Sequence, residues 1–421
     1  MTKKIYEKPE RIYWDSLGFS QLSVFLDLNP PIDSSKFLWH LKRKTAQFFT
    51  FIFSPIFISV HIWSILSASP YNLKQISFDL GFLSHNVQNL IKMFFWLTNL
   101  TSVRDLCLDF SQFHVNRYRP LLSSWVLQKE SNVTRKYIER CFLISKGGLI
   151  IWVFIPTSIA LINYFLYVSG LSAGQETYIP RLSVTQFPFN MSYLGNRLFV
   201  GTLEYGQMIS VFIYYQPIDM FLIAAVNMVR TQYLILNFGL FWMPKDLEAF
   251  WGTEVSVKDT EPPMDMRLFV EDHQRLVRYG QKLREVLNPV LGIVTFDCII
   301  LMCNCAIFIT KLLEDQLELL ELVLYMTAYI TIILASLVVF YTFSSMSGML
   351  KEAEESVFDA LYAQDWYRMS TQKKRSMIFI RKQTITARKI PMLNLGDMDR
   401  ATFIEGLRAV YTFYHFAKQF K

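Results

Sequence analysis

Six apolar segments, each long enough to cross a lipid bilayer as a helix, dominate this sequence. The hydrocarbon core of a bilayer is about 30 Å thick, and a helix of roughly 20 predominantly apolar residues spans it. The segments lie at 46–66, 78–98, 142–168, 203–227, 289–310 and 319–343, and a seventh, amphipathic segment lies near 400–418. We therefore predict an all-α membrane protein with seven transmembrane helices. Charged residues make up only 18% of the chain, whereas soluble domains contain about 25%.

The second segment is the weakest of these predicted spans. Polar and charged side chains interrupt it at Asp79, His85, Asn86, Gln88 and Lys92. Ionisable side chains inside a span are costly, and they mark functional positions by default. Asp297 in the fifth segment is of the same kind, and the sequence assigns it no partner.

The distribution of basic residues predicts a cytoplasmic N-terminus and an extracellular C-terminus. With this orientation, 32 of the 42 Lys and Arg residues fall in the cytoplasmic parts 1–45, 99–141, 228–288 and 344–398, and 6 fall in the extracellular parts. Such a bias is typical of cytoplasmic loops, so the net charge of +7 does not indicate a nucleic-acid partner. Asn190 lies in the one N-glycosylation sequon on the extracellular side, and it is a candidate glycosylation site.

Three charged segments with apolar residues at helical spacing lie on the cytoplasmic side, at 264–288, 349–366 and 371–389. We expect them to pack as a bundle; the alternative is separate helices on the membrane surface. The chain then divides into a cytoplasmic tail (1–45), six transmembrane helices (46–343), cytoplasmic anchor helices (344–398) and a seventh helix (399–421).

The seventh segment carries a stripe of polar side chains along its whole length. Pro391, Asn394 and Gly396 break the chain before it, and its start is capped either by a Thr402–Glu405 capping box or by Asp397 or Asp399. At 100° per residue the stripe falls within an arc of about 80°. Its members are Glu405, Arg408, Thr412, His415 and Gln419.

Large apolar side chains close this stripe near its end, because Phe416 lies at the edge of the same arc and Phe420 lies beside it. A polar stripe that spans a membrane must face protein or water rather than lipid. One interpretation is a pore with a dewetting gate. The other is packing against the interior of the helical bundle.

The C-terminal part of the chain resembles the signature of insect odorant receptors. The resemblance rests on the runs Ala360–Tyr367 and Lys373–Arg375, the pairs Thr402–Phe403 and Tyr411–Phe413, and upstream on Phe187–Asn190 and Ile218–Leu222. The last three residues are similar to the ending of the shared coreceptor. The chain lacks the long inserted intracellular loop of that coreceptor, so it resembles a ligand-tuning subunit.

This resemblance implies an odorant-gated, non-selective cation channel in which tuning subunits and the coreceptor form heterotetramers around one pore. It implies a pore and gate formed by Thr412, Phe416, Gln419 and Phe420, although the family usually has smaller aliphatic residues at the gate. It also implies an odorant pocket in the outer half of the membrane, among helices two, three, four and six. The matching positions are Phe82, His85, Asn86, Ile159, Ile162, Asn163, Tyr205, Met208, Ile209, Phe212, Leu324, Tyr325, Ala328 and Tyr329.

The nearest alternative is a gustatory-receptor-type channel, which shares the pore architecture. A G-protein-coupled receptor would place its N-terminus outside the cell, and it would carry an Asp-Arg-Tyr motif after the third span, which this sequence lacks. A secondary transporter would contain repeated halves with matching broken segments. We predict neither an enzyme nor a cofactor or metal, because the sequence has no phosphate loop, metal-ligand cluster or nucleophile motif.

Overall fold

A computed structural model describes the protein at residues 36–69, 72–99, 120–150, 158, 162, 165, 169, 185–190, 194–210, 216–240, 266–314, 319–363, 366–384, 389–393 and 396–419. Its helices are α1 (Lys36–Ser67), α2 (Leu73–Thr98), α3 (Pro120–Leu149), α4 (Leu194–Ser210), α5 (Gln216–Leu240), α6 (Met266–Glu314), α7 (Leu319–Tyr362), α8 (Thr371–Thr384) and α9 (Arg400–Gln419). A short 3₁₀ helix covers Trp366–Arg368, and a hairpin consists of β1 (Ile390–Pro391) and β2 (Asp397–Met398). The predicted all-α class is confirmed.

Three helices of the described residues are long and apolar enough to cross a membrane: Ile218–Asn237, Met266–Glu314 and Leu322–Tyr362. A shorter apolar helix covers Ser54–Ser67. The α2 helix does not reach this hydropathy because charged residues interrupt it, as its sequence indicates. The predicted third span lies largely outside the described residues, so the number of seven transmembrane helices stays a prediction, as does their orientation.

The apolar helices differ in what surrounds them. In the most apolar window of α5, 83% of the residues are buried inside the chain, against 17% in that of α7. The α5 helix therefore lies in the protein core, while α7 presents most of its apolar surface outward, as a lipid-facing helix does. The core around α5 includes Tyr233, Phe269, Leu283 and Val357.

The predicted packing of the charged segments into one bundle is confirmed. The α6 helix runs without interruption through Pro289, so the segment predicted at 264–288 continues into the fifth span. Met377 and Ile380 of α8 are buried in the same apolar cluster as Leu283 of α6 and Val357 of α7. Burial of apolar side chains is the main term that stabilises such packing.

The hairpin joins the two parts of the C-terminal region and rests against α6. Ile390 pairs with Met398, and Pro391 pairs with Asp397. Between the strands Leu393 adopts a left-handed conformation with φ of 43°. Its backbone N–H donates to Asn288 Oδ1 at 2.7 Å, and its side chain packs so closely that a Cβ on Gly292 would lie 2.9 Å from it.

Asp399 is the N-cap residue of α9, and its hydrogen bonds decide between the capping alternatives. The N–H of Thr402 donates to Asp399 Oδ1 at 2.8 Å, as an N-cap interaction requires. The hydroxyl of Thr402 also donates to Asp399, at 3.0 Å. The alternative capping box, with Thr402 as the cap, is therefore wrong.

Candidate functional site

The α2 helix has one lipid-type face and one polar, buried face. Leu80, Ile91 and Phe94 are exposed, and they lie within roughly 60° of one another around the helix. The opposite side carries the charged and amide side chains that make α2 a poor span, and several of them are almost fully buried, among them Asp79 and Lys92. Buried charges are stable only when they are paired or hydrogen-bonded. Their partners come from α1, α5, α6 and the segment 185–190.

Asp79 is the centre of a first network, which joins α2 to α1. Its carboxylate lies 2.8 Å from His61 Nδ1 and accepts hydrogen bonds from Ser64 Oγ at 2.5 Å and from Thr185 Oγ1 at 2.8 Å. The next residue, Gln186, donates its backbone N–H to Ser64 Oγ at 2.8 Å. The segment that begins at Thr185 is thus held against the N-terminal end of α2 and the C-terminal end of α1.

Asp297 of α6 is the centre of a second network with α2. Its carboxylate accepts a hydrogen bond from Ser84 Oγ at 2.8 Å and lies 3.0 Å from His85 Nδ1. When the amide of Gln88 is oriented to satisfy both of its ends, its nitrogen donates to Asp297 at 3.1 Å. Asp297, which the sequence leaves without a partner, therefore has three.

Lys92 and Asp219 extend this second network to α5. The ammonium of Lys92 lies 2.9 and 3.0 Å from the two carboxylate oxygens of Asp219, and it donates to the amide oxygen of Gln88 at 3.0 Å. The chain of hydrogen bonds from Asp297 through Gln88 and Lys92 to Asp219 connects three helices. Asp219 lies in the run Ile218–Leu222, which carries part of the family resemblance.

Several candidate ligand residues meet in a cluster of aromatic rings. Phe82 stacks on Phe78 with ring centroids 4.6 Å apart, and Tyr329 of α7 stacks on Phe308 of α6 at 4.1 Å. Phe78 lies 5.8 Å from Phe308, and Tyr325 lies 6.3 Å from the same ring. We call these five residues the aromatic cluster. Sequence reasoning missed Phe78 and Phe308; the aromatic pair at spacing i, i+4 on α2 is the signal that indicates Phe78.

The remaining candidate ligand residues are less well described. Asn86 is buried and Ile162 is exposed, while Leu324 and Ala328 pack in the apolar cluster that surrounds Tyr329. Ile159, Asn163 and Phe212 lie outside the described residues, as do the side chains of Tyr205, Met208 and Ile209. Asn190 is exposed.

The polar stripe of α9 lies on the exposed surface of the chain. All five members of the stripe are exposed: Glu405, Arg408, Thr412, His415 and Gln419. Phe416, next to them, is 56% exposed. The hydroxyl of Thr412 donates to the carbonyl of Arg408 at 2.9 Å within the helix. Phe420 lies outside the described residues. The stripe therefore does not pack against the helical bundle of its own chain.

The opposite side of α9 packs on α6 and α7. The hydroxyls of Tyr414 and Thr310 lie 3.0 Å apart, and the thiol of Cys303 contacts the carbonyl of Val410 at 3.9 Å. Gly406 is buried so closely against Phe340 that a Cβ at this position would lie 2.5 Å from the ring. Only a residue without a side chain permits this approach of α9 to α7.

The bundle of α6, α7 and α8, with the N-terminal end of α9 beside it, contains titratable groups whose pKa values are shifted. Burial lowers the pKa of His273 to about 4. Burial also raises the pKa of Glu354, although Arg284 lies within hydrogen-bonding distance and opposes the shift. Burial works against the charge of Asp399, but hydrogen bonds from Lys389 and Thr402 hold the pKa of its carboxyl at about 2.

Among the described residues, no group of three His, Cys, Asp or Glu side chains is arranged to hold a metal ion. Cys298, Cys303 and Cys305 are buried free thiols.

Comparison with known proteins agrees with the fold. The family model described as "7tm Odorant receptor" matches residues 72–411. The solved structure of the insect olfactory receptor OR5 from Machilis hrabei aligns over 100% of this chain and 98% of its own, with a TM-score of 0.74 and 12% identity. The structure of OR5 in complex with eugenol aligns over 97% and 100%, with a TM-score of 0.75 and 11% identity. No curated protein matches the sequence.

Proposed function

Since the chain belongs to the 7tm odorant receptor family, we propose that it is a ligand-tuning subunit of an odorant-gated, non-selective cation channel. Members of this family are multi-pass membrane receptors and ligand-gated cation channels rather than enzymes. In the proposed assembly the chain forms a heterotetramer with the odorant receptor coreceptor in the plasma membrane, with its N-terminus in the cytoplasm and its C-terminus outside.

The exposed polar stripe of α9 is the observation that carries this proposal. Within one chain the stripe faces away from α6 and α7, and a polar surface of this length is costly against lipid. Water in a pore, together with neighbouring subunits, removes that cost. We assign Thr412, Phe416, Gln419 and Phe420 to the pore and gate, with the two phenylalanines as an apolar constriction that closes by dewetting.

We assign the odorant pocket to the region around the aromatic cluster. Phe82, Tyr325 and Tyr329 supply apolar ring surface there, and His85 and Asn86 lie one turn further along α2. A small volatile binds mostly through burial of its apolar surface, at about 25 cal/mol per Å². One of the similar OR5 structures is a complex with eugenol, which supports a small volatile as ligand.

The third and fourth transmembrane helices complete the proposed pocket. Their candidate residues are Ile159, Ile162, Asn163, Tyr205, Met208, Ile209 and Phe212. We also propose Asn190 as a glycosylation site, which its exposure supports.

The α6 helix is suited to couple the pocket to the pore. It contributes Phe308 to the aromatic cluster and Asp297 to the network with α2. It also contacts α9 through Thr310 and Cys303. A displacement of α6 by a bound odorant therefore acts directly on the helix that carries the polar stripe, without an intervening element.

Co-expression tests this function. We expect little current when the chain is expressed alone, and an odorant-evoked inward cation current when it is expressed with the coreceptor. In a panel of volatiles, we expect a subset to evoke current in these cells and to evoke none in cells that express the coreceptor alone. Robust current from the chain alone would contradict the tuning-subunit assignment. Heteromers that reach the cell surface but respond to no volatile in a broad panel would contradict odorant gating.

A further inference from the structure

We infer that the odorant pocket selects volatiles that carry a hydroxyl group, and that this hydroxyl donates a hydrogen bond to Nε2 of His85. The inference rests on the proposed odorant-gated function, and it names the ligand class and the residue that recognises it. Three observations support it: the partners of Asp297, the direction in which His85 projects from α2, and the position of the aromatic cluster.

The partners of Asp297 determine which nitrogen of His85 carries the proton. An ionised carboxylate only accepts hydrogen bonds, so the contact of 3.0 Å between Asp297 Oδ2 and His85 Nδ1 needs the proton on Nδ1. In the neutral imidazole the lone pair then lies on Nε2, and that atom is an acceptor. Ser84 and Gln88 fill further acceptor positions of the carboxylate, which holds it in place for the imidazole.

The direction of the imidazole is inward. His85 is five positions after Leu80, so the two side chains lie roughly 140° apart around the helix, and Leu80 marks the exposed apolar face. The His85 side chain is 28% exposed, whereas that of Asp297 is 5% exposed. Asp297 uses Nδ1, whereas Nε2 has no hydrogen-bond partner among the described residues.

The aromatic cluster lies next to this acceptor. Phe82 is three residues from His85 on the same side of α2, and side chains at this spacing are neighbours. A ligand whose hydrocarbon part packs against the half-buried rings of Phe82 and Tyr325 can therefore bring one polar end to His85. A ligand that only accepts hydrogen bonds, such as an ester, ketone or ether, would set its lone pairs against that of Nε2.

Matched ligand pairs test the inference in the full heteromeric channel. The probes are straight-chain primary alcohols and their methyl ethers of equal chain length, and phenol with anisole. On the parent channel we expect the half-maximal concentration of the best alcohol or phenol to be lower by roughly five- to tenfold than that of its ether, the effect of one neutral hydrogen bond. Ethers that are as potent as their alcohols would overturn the inference without a mutation being needed.

Two variants assign the effect to His85. His85→Phe should remove the difference between alcohol and ether while responses to the ethers persist. Asp297→Asn should shift the preference toward the ethers, because the asparagine amide can donate to Nδ1 and the proton of the imidazole then lies on Nε2, where it can be donated to an ether oxygen. Leu80→Ala on the lipid-type face is the control, and it should keep the preference of the parent.

A preference for alcohols that survives in His85→Phe would overturn the role of His85. A failure of the proposed function looks different, because no volatile of either class would then evoke current from heteromers that reach the surface.

Discussion

The ammonium of Lys92 lies 2.9 Å from Oδ1 and 3.0 Å from Oδ2 of Asp219, so that a lysine of α2 and a carboxylate of α5 form an ion pair inside the helical bundle. The side chain of Lys92 is 2% exposed and that of Asp219 is 14% exposed. Each charge is therefore stable at this depth only because the other is present.

Removal of one partner should destabilise the protein more than removal of both. Lys92→Met or Asp219→Leu alone leaves an uncompensated buried charge, at a cost of about 3–5 kcal/mol. The double variant should be close to the parent in thermal unfolding of the detergent-purified protein. Lys311→Met serves as control, since its pair with Glu314 is partly exposed and should contribute less than about 1 kcal/mol. Strictly additive effects would show that the two charges are not coupled.

The contact between Gly406 and Phe340 should not tolerate a methyl group. Gly406→Ala introduces a Cβ at 2.5 Å from the ring and should cost about 1–3 kcal/mol through overpacking. We expect lower thermal stability and a reduced odorant-evoked current, with partial recovery when Phe340→Leu is added. Gly348→Ala is the matched control, because no atom lies within 4 Å of its Cβ position. Equal effects at the two glycines would refute the steric argument.

The buried His273, in the bundle of α6, α7 and α8, should make the stability of the protein pH-dependent. The pKa of His273 is about 4 in the folded protein and 6.5 in an unfolded chain, so between these values the unfolded state binds the extra proton. Stability should therefore be full above pH 6.5 and fall toward pH 4, by a total on the order of 3 kcal/mol. Thermal unfolding of the parent and of His273→Gln between pH 7.5 and about 5 measures this difference.

Asp399 provides a control for that series. Its pKa is about 2 when folded and 3.8 as the ordinary value, so its stabilisation is present above 3.8 and is lost only as the pH falls through about 2. Asp399→Asn should thus leave the change in stability between pH 7.5 and 5 the same as in the parent. If the stability of His273→Gln changes with pH as steeply as that of the parent, His273 is not the source of the pH dependence.

The proposed gate leads to a prediction about leak current. Phe416→Ala and Phe420→Ala each remove a large apolar side chain from the constriction, so water should enter it more readily. We expect increased basal current or altered cation selectivity in heteromers recorded without odorant. Tyr411→Ala removes an exposed ring that lies roughly 140° from Phe416 and 180° from Phe420 around α9, and it is the comparison variant. If both gate variants conduct like the parent, Phe416 and Phe420 do not form the gate.

Periodicity was sufficient to predict the polar stripe of α9, because the face of a single helix depends only on residue spacing. It did not decide whether the stripe is exposed or packs inside the bundle, since that depends on how α9 lies against α6 and α7. It was not sufficient for the cap, since Thr402 and Asp399 both have good capping chemistry, and the hairpin geometry decides for Asp399. Likewise, the ring of Phe308 joins the aromatic cluster only through the packing of α6 against α2 and α7.

The networks of α2 could be predicted only in part. The sequence marks Asp79, His85, Lys92 and Asp297 as charges or polar groups inside spans, which are expected to be paired. Their partners could not be identified, because His85 and Asp297 are 212 residues apart and one sequence contains no information on which helices are neighbours.

The same separation has a consequence for how the protein is made. Asp219, the partner of Lys92, lies 127 residues further along the chain, so it has not yet been synthesised when α2 leaves the ribosome. Asp297 is synthesised later still. During that interval α2 carries charges that neither lipid nor a finished neighbour satisfies. Its place in the membrane thus depends on the later arrival of α5 and α6, and on whatever shelters it until then. Truncated chains that end before α6 should for this reason be retained and degraded rather than delivered to the cell surface.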